Sequence, residues 1–491
     1  NYFDPHASFA SFFDKDLRSV AYQLSKNLTD GHICLDIADY NKNVANEREE
    51  IEESYRQYFE FIDLDKLKEN DLVAEFDIDE FPSKPFVLNE NKIYLQRYWV
   101  YENKIIEYIK ELIQVSKENR EGLYNILTEQ VNFIRRLFED NTQKDIDWQL
   151  CAALTSILNN FSIITGGPGT GKTYTVTKLL SILFKLNIDA SVVMVAPTGK
   201  AAARLKDSLD KGVEKIGLEG HIKERLLNIE SKTIHSLLGY IKGTHRFKYN
   251  KDNKLKYEVI IADEASMIDV ALMSKLLEAV GKRSRIIFLG DKDQLASVEA
   301  GSVFGDLCRA GLNNGQTEFI SSQVCDLYKQ ITGKDHLTPS VDNKNLLSGV
   351  ITVLKGSHRF NEHKGIGLFS KQVIEGNPDI IEEADFYVAD SEVVITEDDD
   401  FAEQFFAEFK NYIKTSNNED IHDEFDKFRI LSATKSWEYG VYERNKRLEA
   451  YLGLNAKNEL FYHNQPLMIT KNDKQLEIYN GDTGIVRKNE Q

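Results

Sequence analysis

The segment FSIITGGPGTGKTYTVT, residues 161–177, restricts the possible fold more than any other stretch of this chain. An apolar run of strand type (161–165) leads into Gly166, then four residues, then Gly171-Lys172-Thr173, and a helical pattern follows over 176–183. That spacing is a phosphate-binding loop between a strand and a helix. The backbone has to turn tightly and aim successive N–H groups at phosphate oxygens, a course a Cβ would obstruct. The helix N-terminus behind it adds its own positive end. The loop candidates are Gly166, Gly167, Pro168, Gly169, Thr170 and Gly171. Lys172 is placed to reach β- and γ-phosphates, and the Thr173 hydroxyl is left to ligate Mg²⁺. The bland alternative is a glycine-rich turn that binds nothing, and the agreement of spacing, Lys, Thr and context weighs against it.

Three more strand signals follow, each running into a polar loop. SVVMVA (191–196) leads into PTGKAAARL, where Thr198, Gly199 and Lys200 open a helix suited to phosphate contact or, alternatively, form a basic solvated turn. YEVIIADEAS (257–266) ends in Asp263 and Glu264 at the strand's C-terminal edge, where ligands sit in open α/β sheets. Asp263 is suited to hold Mg²⁺, and Glu264 to accept a proton from, or orient, an attacking water. SRIIFLG (284–290) delivers DKDQLASVEAG, in which Gln294 is positioned to sense the γ-phosphate. Four strand-loop-helix units in order predict a doubly wound parallel sheet with right-handed crossovers. Between them, SKTIHSLLG offers Thr233 and His235 and reads on its own as a helix cap. Ahead of the loop, Gln149 in DWQLCAAL has an amide able to pair with an adenine edge, although a surface glutamine is the safer reading of that residue alone.

A chain of 491 residues is too long for one core and predicts two to four domains. Residues 1–140 read as a separate α-rich domain, with helical spacing over 9–24 and 105–138 and short strands in GHICLDI and KIYLQRYWV. His32 beside Cys34 lacks the further ligands of a metal site, and the aromatic run SYRQYFEFI (54–62) favours a core over a partner surface. A second α/β unit is expected from about residue 340. It contains Arg359 in LKGSHRF, a strand FRILSAT (428–434), a helix over 440–452, and two strands around a turn within 466–486, with Asn472, Asp473 and Asn480-Gly481-Asp482 at the bends. An arginine such as Arg359, taken alone, is more often structural than phosphate-reaching. TEDDD (396–400) is expected to be exposed.

The net charge of −18 argues at face value against a nucleic-acid partner. Its distribution says otherwise. Residues 1–150 hold 18 basic and 31 acidic side chains and residues 381–430 hold 4 and 16, which leaves 39 basic and 32 acidic elsewhere. The acidity is segregated from the phosphate-loop region, so a polyanion can be held there. No run of about 18 uncharged apolar residues predicts a membrane span. The opening NYFDPHASFA reads as a chain trimmed at its start rather than a signal peptide. Cys34, Cys151, Cys308 and Cys325 form no CxxC pair and are expected as reduced thiols of a cytoplasmic protein.

Taken together, GGPGTGKT, APTGKAAARL, TIHSLLG, DEASMID, GDKDQLASVEAG, SHRF and NDKQLEIYNGD resemble the RecD helicases of superfamily one, from about Gln149 to the end. GHICLDI and the KIYLQRYWV region resemble the N-terminal domain of RecD subunits of bacterial RecBCD enzymes, also called exodeoxyribonuclease V. The resemblance implies two RecA-like P-loop NTPase lobes, 141–338 and 339–491, behind a small α-rich partner-docking domain, 1–140. It implies an ATP-driven motor moving 5′ to 3′ on single-stranded DNA in double-strand break repair and recombination. RecB-like and RecC-like subunits are the implied partners, with the nuclease in the RecB-like chain and the N-terminal domain docked on the RecC-like one. It assigns Gln149 to adenine; Lys172, Thr173, Asp263, Glu264 and Gln294 to ATP and Mg²⁺; and Arg359 to phosphate charge from the second lobe. Pro197, Thr198, Lys200, Thr233 and His235 become candidate DNA contacts. The family continues past NGDTG with further motor motifs, so a truncated or incompletely recorded chain is expected. The competing readings are a free-standing RecD-like helicase and a nucleotide-gated scaffold with a vestigial ATPase.

Overall fold

The computed structural model describes residues 4–76, 82–139, 146–295 except 242 and 245, 300–301, 303–312, 319–357 except 343, 359–361, 363–381, 392–394, 401–454 except 419, 461–470, 476, 478 and 481–488. Two compact units divide the chain, Asn1–Arg359 and Phe360–Gln491.

The first unit is organised by six parallel strands. In chain order they are β5 (Phe161–Thr165), β6 (Val192–Ala196), β7 (Glu230–Thr233), β8 (Val259–Ala262), β9 (Arg285–Gly290) and β10 (Ile351–Val353), and across the sheet they run β10-β5-β9-β8-β6-β7. The central strands are apolar on both faces because helices cover both. β5 and β8 are buried at every position, and β9 at all but Arg285. Alternate residues serve opposite layers. Ile164, Ile287 and Leu289 pack with the helices Trp148–Leu158 and Lys172–Leu186. Phe161, Ile163, Ile286 and Phe288 pack on the other side with Val270–Ala279 and with Ile105, Ile109, Leu112 and Ile113 of the helix Gln96–Glu129. Among the polar residues inside the helix after the loop, Thr175, Thr177 and Ser181 each donate a hydroxyl to the carbonyl four residues back, which settles three buried groups without a partner element.

The expected parallel sheet is therefore present and two strands wider than the sequence reading. β7, ESKT, is a polar edge strand, and β10, ITV, is only three residues long. Neither carries the apolar run by which a buried strand is recognised. The placement of β10 also moves a boundary. Residues 339–359, grouped above with the second lobe, bring a strand and Arg359 into the first unit.

The N-terminal region is likewise less separate and less helical than expected. Its own core gathers Leu17, Val20, Leu24, Leu35, Phe86 and Ile93. A four-stranded sheet, β1 (Cys34–Asp36), β2 (Val73–Glu75), β3 (Phe86–Asn89) and β4 (Lys92–Leu95), runs in the order β1-β4-β3-β2. KIYLQRYWV is half strand and half helix, since the helix starts at Gln96 and continues for 34 residues. That helix carries Trp99 in a small cluster with Val87 and Tyr94 of the N-terminal sheet, and Ile105, Ile109, Leu112 and Ile113 in the core of the six-stranded sheet, so no break falls near residue 140. In the run SYRQYFEFI, Tyr58 stacks on Tyr22 at 4.6 Å and Phe59 is buried, in keeping with a core role, while Phe61 is 71% exposed.

The second unit has a helix Val441–Tyr451 and an antiparallel pair, β11 (Pro466–Met468) with β12 (Thr483–Ile485). Residues 428–434 are irregular rather than a strand, and no parallel sheet occurs among the described residues of this unit. The expected turn residues Asn472, Asp473 and Asn480 and the stretch 396–400 lie outside the described residues. All four cysteines are free thiols. No helix among the described residues is long and apolar enough to cross a membrane.

Phe288 is fully buried with its ring 5.9 Å from that of Phe161. Phe288→Ala is expected to destabilise the first unit by about 3–5 kcal/mol, read from the midpoint of chemical denaturation. A change below about 1 kcal/mol would mean the two rings do not anchor the sheet.

Candidate functional site

Parallel pairing puts the ends of β5, β6, β7, β8, β9 and β10 at one edge of the sheet, so every loop that follows a strand opens there. The phosphate loop leaves β5 at Thr165, whose register partner in β9 is Gly290, and Gly166 N–H donates to the Gly290 carbonyl at 3.2 Å. Gly169 and Gly171 turn with φ of +78° and +87°. A Cβ on Gly171 would lie 2.5 Å from Gln149 Nε2, and one on Gly169 would lie 2.7 Å from Arg359 Cβ. The conformation and the crowding both demand glycine.

Gln149 sits in the first turn of the helix capped by Asp147, is 6% exposed, and donates through Nε2 to the Thr170 carbonyl at 3.3 Å. It is thus a buried partner of the loop and not a solvated surface amide. Lys172, the first residue of its helix, donates its ammonium to the carbonyls of Gly166 and, at 3.3 Å, Gly167. Burial holds this ammonium below the usual lysine range, with nearby Arg359 adding to the depression; the carboxylates of Asp291, Asp263 and Glu264 pull it upward. Thr173 is the next residue of the same helix.

Asp263 continues β8, its N–H bonded to the Val195 carbonyl at 2.8 Å. Burial pushes its carboxyl up to about 6, with the charge of Glu264 adding to the shift and the Glu264 N–H and Lys172 opposing it. Glu264 adopts φ of +51°, a left-handed conformation that a residue with a Cβ takes at a cost of about 1–3 kcal/mol. Strain of this kind is retained where it aims a functional side chain.

Arg359 reaches the loop from within the same unit. Ser357 Oγ donates to the Pro168 carbonyl at 2.9 Å and accepts the Arg359 N–H at 3.1 Å. The expectation that Arg359 comes from the second lobe is corrected by the chain path, because β10 pairs with β5 and carries the following residues across the loop. Gln294 lies in an exposed turn after β9, its N–H on the Asp291 carbonyl at 3.3 Å.

Pro197 and Thr198 follow β6, and Thr233 ends β7 with Ala196 as its register partner, so the two polar openings lie side by side. Thr198 and Thr233 each cap a helix, accepting the N–H of Ala201 and of Ser236 at 3.2 Å. Lys200 falls in the first of these helices; His235 is exposed, 5.8 Å from the Phe247 ring.

Two groups escaped the sequence reading. Asp291 is buried beside Lys172, and its place at the end of a parallel strand was the signal available for it. Ser357 had no local signal, since its partner lies 189 residues away.

The residues present fit a magnesium-bound nucleoside triphosphate. Glycine turns leave room for phosphates, Lys172 supplies a half-buried cation, and Asp263 with the Thr173 hydroxyl makes a sparse oxygen donor set of the kind Mg²⁺ takes when phosphates and water complete its shell. Among the described residues no cluster of three His, Cys, Asp or Glu forms an all-protein metal cage.

Comparison with known proteins agrees with this geometry. The family described as AAA domain matches residues 149–300, and the family described as RecBCD enzyme subunit RecD, N-terminal domain, matches residues 7–94. The RecBCD enzyme subunit RecD of Haemophilus influenzae is 32% identical over 444 residues, covering 82% of this chain and 67% of that protein. The protein of the same description from Buchnera aphidicola is 32% identical over 429 residues, with 82% and 67% covered. The ATP-dependent RecD2 DNA helicase of Deinococcus radiodurans is 29% identical over 230 residues, covering 47% of this chain and 28% of that one.

The Asp263 shift carries a sign for stability. Its folded value of about 6 lies above the ordinary 3.8, so its contribution is complete below about pH 3.8 and is lost as pH rises through about 6. In metal-free and nucleotide-free protein, Asp263→Asn should therefore raise stability at neutral pH by roughly 1–3 kcal/mol and flatten the decline across that window. Thermal unfolding against pH reads this, and identical slopes for the two proteins would place the titration elsewhere.

Proposed function

The chain belongs to the RecD family of RecBCD enzyme subunits, and from that premise we propose that it is an ATP-dependent DNA helicase subunit that translocates 5′ to 3′ on single-stranded DNA. The observation that carries the reading is the gathering of Lys172, Asp263, Glu264, Asp291 and Arg359 around one phosphate loop. Hydrolysis of a phosphoanhydride needs charge neutralisation, a positioned water and little else from the protein, and these groups supply it.

On this reading Gln149 brackets the adenine edge while steadying Thr170, and Lys172 exchanges the loop carbonyls for phosphate oxygens. Thr173 and Asp263 would hold Mg²⁺, which when bound would supply charge neutralisation for the phosphates. Glu264 takes the proton of the attacking water on a carboxylate oxygen, and the strained backbone fixes its direction. Gln294 senses the γ-phosphate, and Arg359 meets the charge that develops as the bond breaks. Pro197, Thr198, Lys200, Thr233 and His235 grip the DNA backbone at the adjoining strand ends, where hydroxyls and helix N-termini suit phosphate oxygens.

The same reading extends to a second RecA-like lobe in residues 360–491, to RecB-like and RecC-like partners with the nuclease in the former, and to work on double-strand breaks in the cytoplasm. The family descriptions support the partnership, and the segregation of negative charge away from residues 151–380 supports the nucleic-acid substrate.

Lys172→Gln should lower single-stranded-DNA-stimulated ATP hydrolysis by about 100-fold or more while leaving the circular dichroism spectrum and unfolding midpoint in place, because among the described residues the ammonium bonds to two loop carbonyls that water can serve. Undiminished phosphate release from that variant would defeat the proposal.

A further inference from the structure

Ser357 has no part in the mechanism above. Its hydroxyl lies between two segments that are remote in sequence and adjacent in space. On one side it donates to the Pro168 carbonyl at 2.9 Å, in the tight part of the phosphate loop. On the other it accepts the backbone N–H of Arg359 at 3.1 Å, two residues on, in the local pattern that serine hydroxyls favour. A hydroxyl donates and accepts through one atom, so no apolar or purely accepting side chain fills both roles. Contact is close enough that a Cβ on Gly169 would lie 2.8 Å from Ser357 Oγ and 2.7 Å from Arg359 Cβ. Upstream, the segment is anchored to the same strand as the loop, the Leu354 N–H bonding the Thr165 carbonyl at 2.7 Å.

We propose that Ser357 is a positioning residue for ATP hydrolysis: its hydroxyl fastens the backbone of Arg359 to the Pro168–Gly169 turn, so that the guanidinium is launched from the wall of the phosphate loop. The inference rests on the role given above to Arg359. A long, flexible side chain reaches a transferring phosphoryl group efficiently only if its root is fixed, and misplacement by about 1 Å can cost as much as 10²-fold in rate. The latch fixes the root through the backbone N–H and engages no atom of the guanidinium. It also ties Arg359 to the conformation of the loop, because a Pro168 carbonyl that turns away removes the donor's target.

The test is a double-mutant cycle on DNA-stimulated ATPase with the intact protein. Ser357→Ala should lower kcat about tenfold with the KM for ATP changed less than about twofold, and Ser357→Thr, which keeps the hydroxyl, should restore most of the rate. In an Arg359→Ala background the same Ser357→Ala change should cost nothing further, since there is no longer a guanidinium to position. An equal loss in both backgrounds, or a kcat for Ser357→Ala equal to wild type, overturns the proposal and leaves the ATPase reading standing. A wild-type protein that hydrolyses no ATP with DNA present overturns the ATPase reading and this proposal together. Loss through misfolding would appear as a lowered unfolding midpoint and as failure of Ser357→Thr to restore the rate, and that pattern also overturns it.

Discussion

The pairing of β5 between β9 and β10 is the constraint on which the remainder of the first unit depends. Five residues, each buried, are held in parallel register by β9 and the last three of them by β10 as well, and the loop that follows inherits its position from that register. Gly166 is tied to Gly290 on the β9 side, and Leu354 to Thr165 on the β10 side. A phosphate loop has no side-chain packing of its own to hold its shape. Here it is braced from within by the Thr170 hydroxyl on the Gly167 carbonyl, and from outside by Gln149 on the Thr170 carbonyl and Ser357 on the Pro168 carbonyl.

Charge at the site is balanced rather than satisfied pairwise. Lys172 is half-buried, and among the described residues three carboxylates act on it through the field instead of through a short ion pair. That arrangement leaves the ammonium bonded to neutral carbonyls, which are easily exchanged for phosphate oxygens of higher charge. Burial of Asp263 and the strained backbone of Glu264 are the corresponding costs on the acidic side. They are sustained by the surrounding sheet, where β8 is buried at all four positions. Sites that store strain in this way are paid for by the stability of the scaffold around them.

The helix Gln96–Glu129 gives the N-terminal region a physical route into the motor. Its first turns belong to one core and its middle to another, so the two cannot be separated at residue 140 without exposing Ile105, Ile109, Leu112 and Ile113. A second tie runs from the Gly31 carbonyl to the Gly301 N–H at 3.0 Å, close to the segment that carries Gln294.

Period and punctuation determined much of this protein by themselves. The glycine spacing before Lys172, the apolar strands ending in Asp263-Glu264 and in Gly290, and the order of the units are local properties of the chain, and the structure places them as the pattern requires. What tertiary structure decided were the features whose cause lies far away in sequence. The edge strands β7 and β10 exist because a neighbour offers them a ladder, not because ESKT or ITV favours one. Gln149 is buried because the loop folds over it, and Asp291 matters because β9 lies beside β5. Arg359 belongs to the first unit because β10 returns to that strand, and Ser357 meets a carbonyl 189 residues distant. Local sequence sets which backbone conformations are cheap, whereas only packing brings together groups separated by most of the chain.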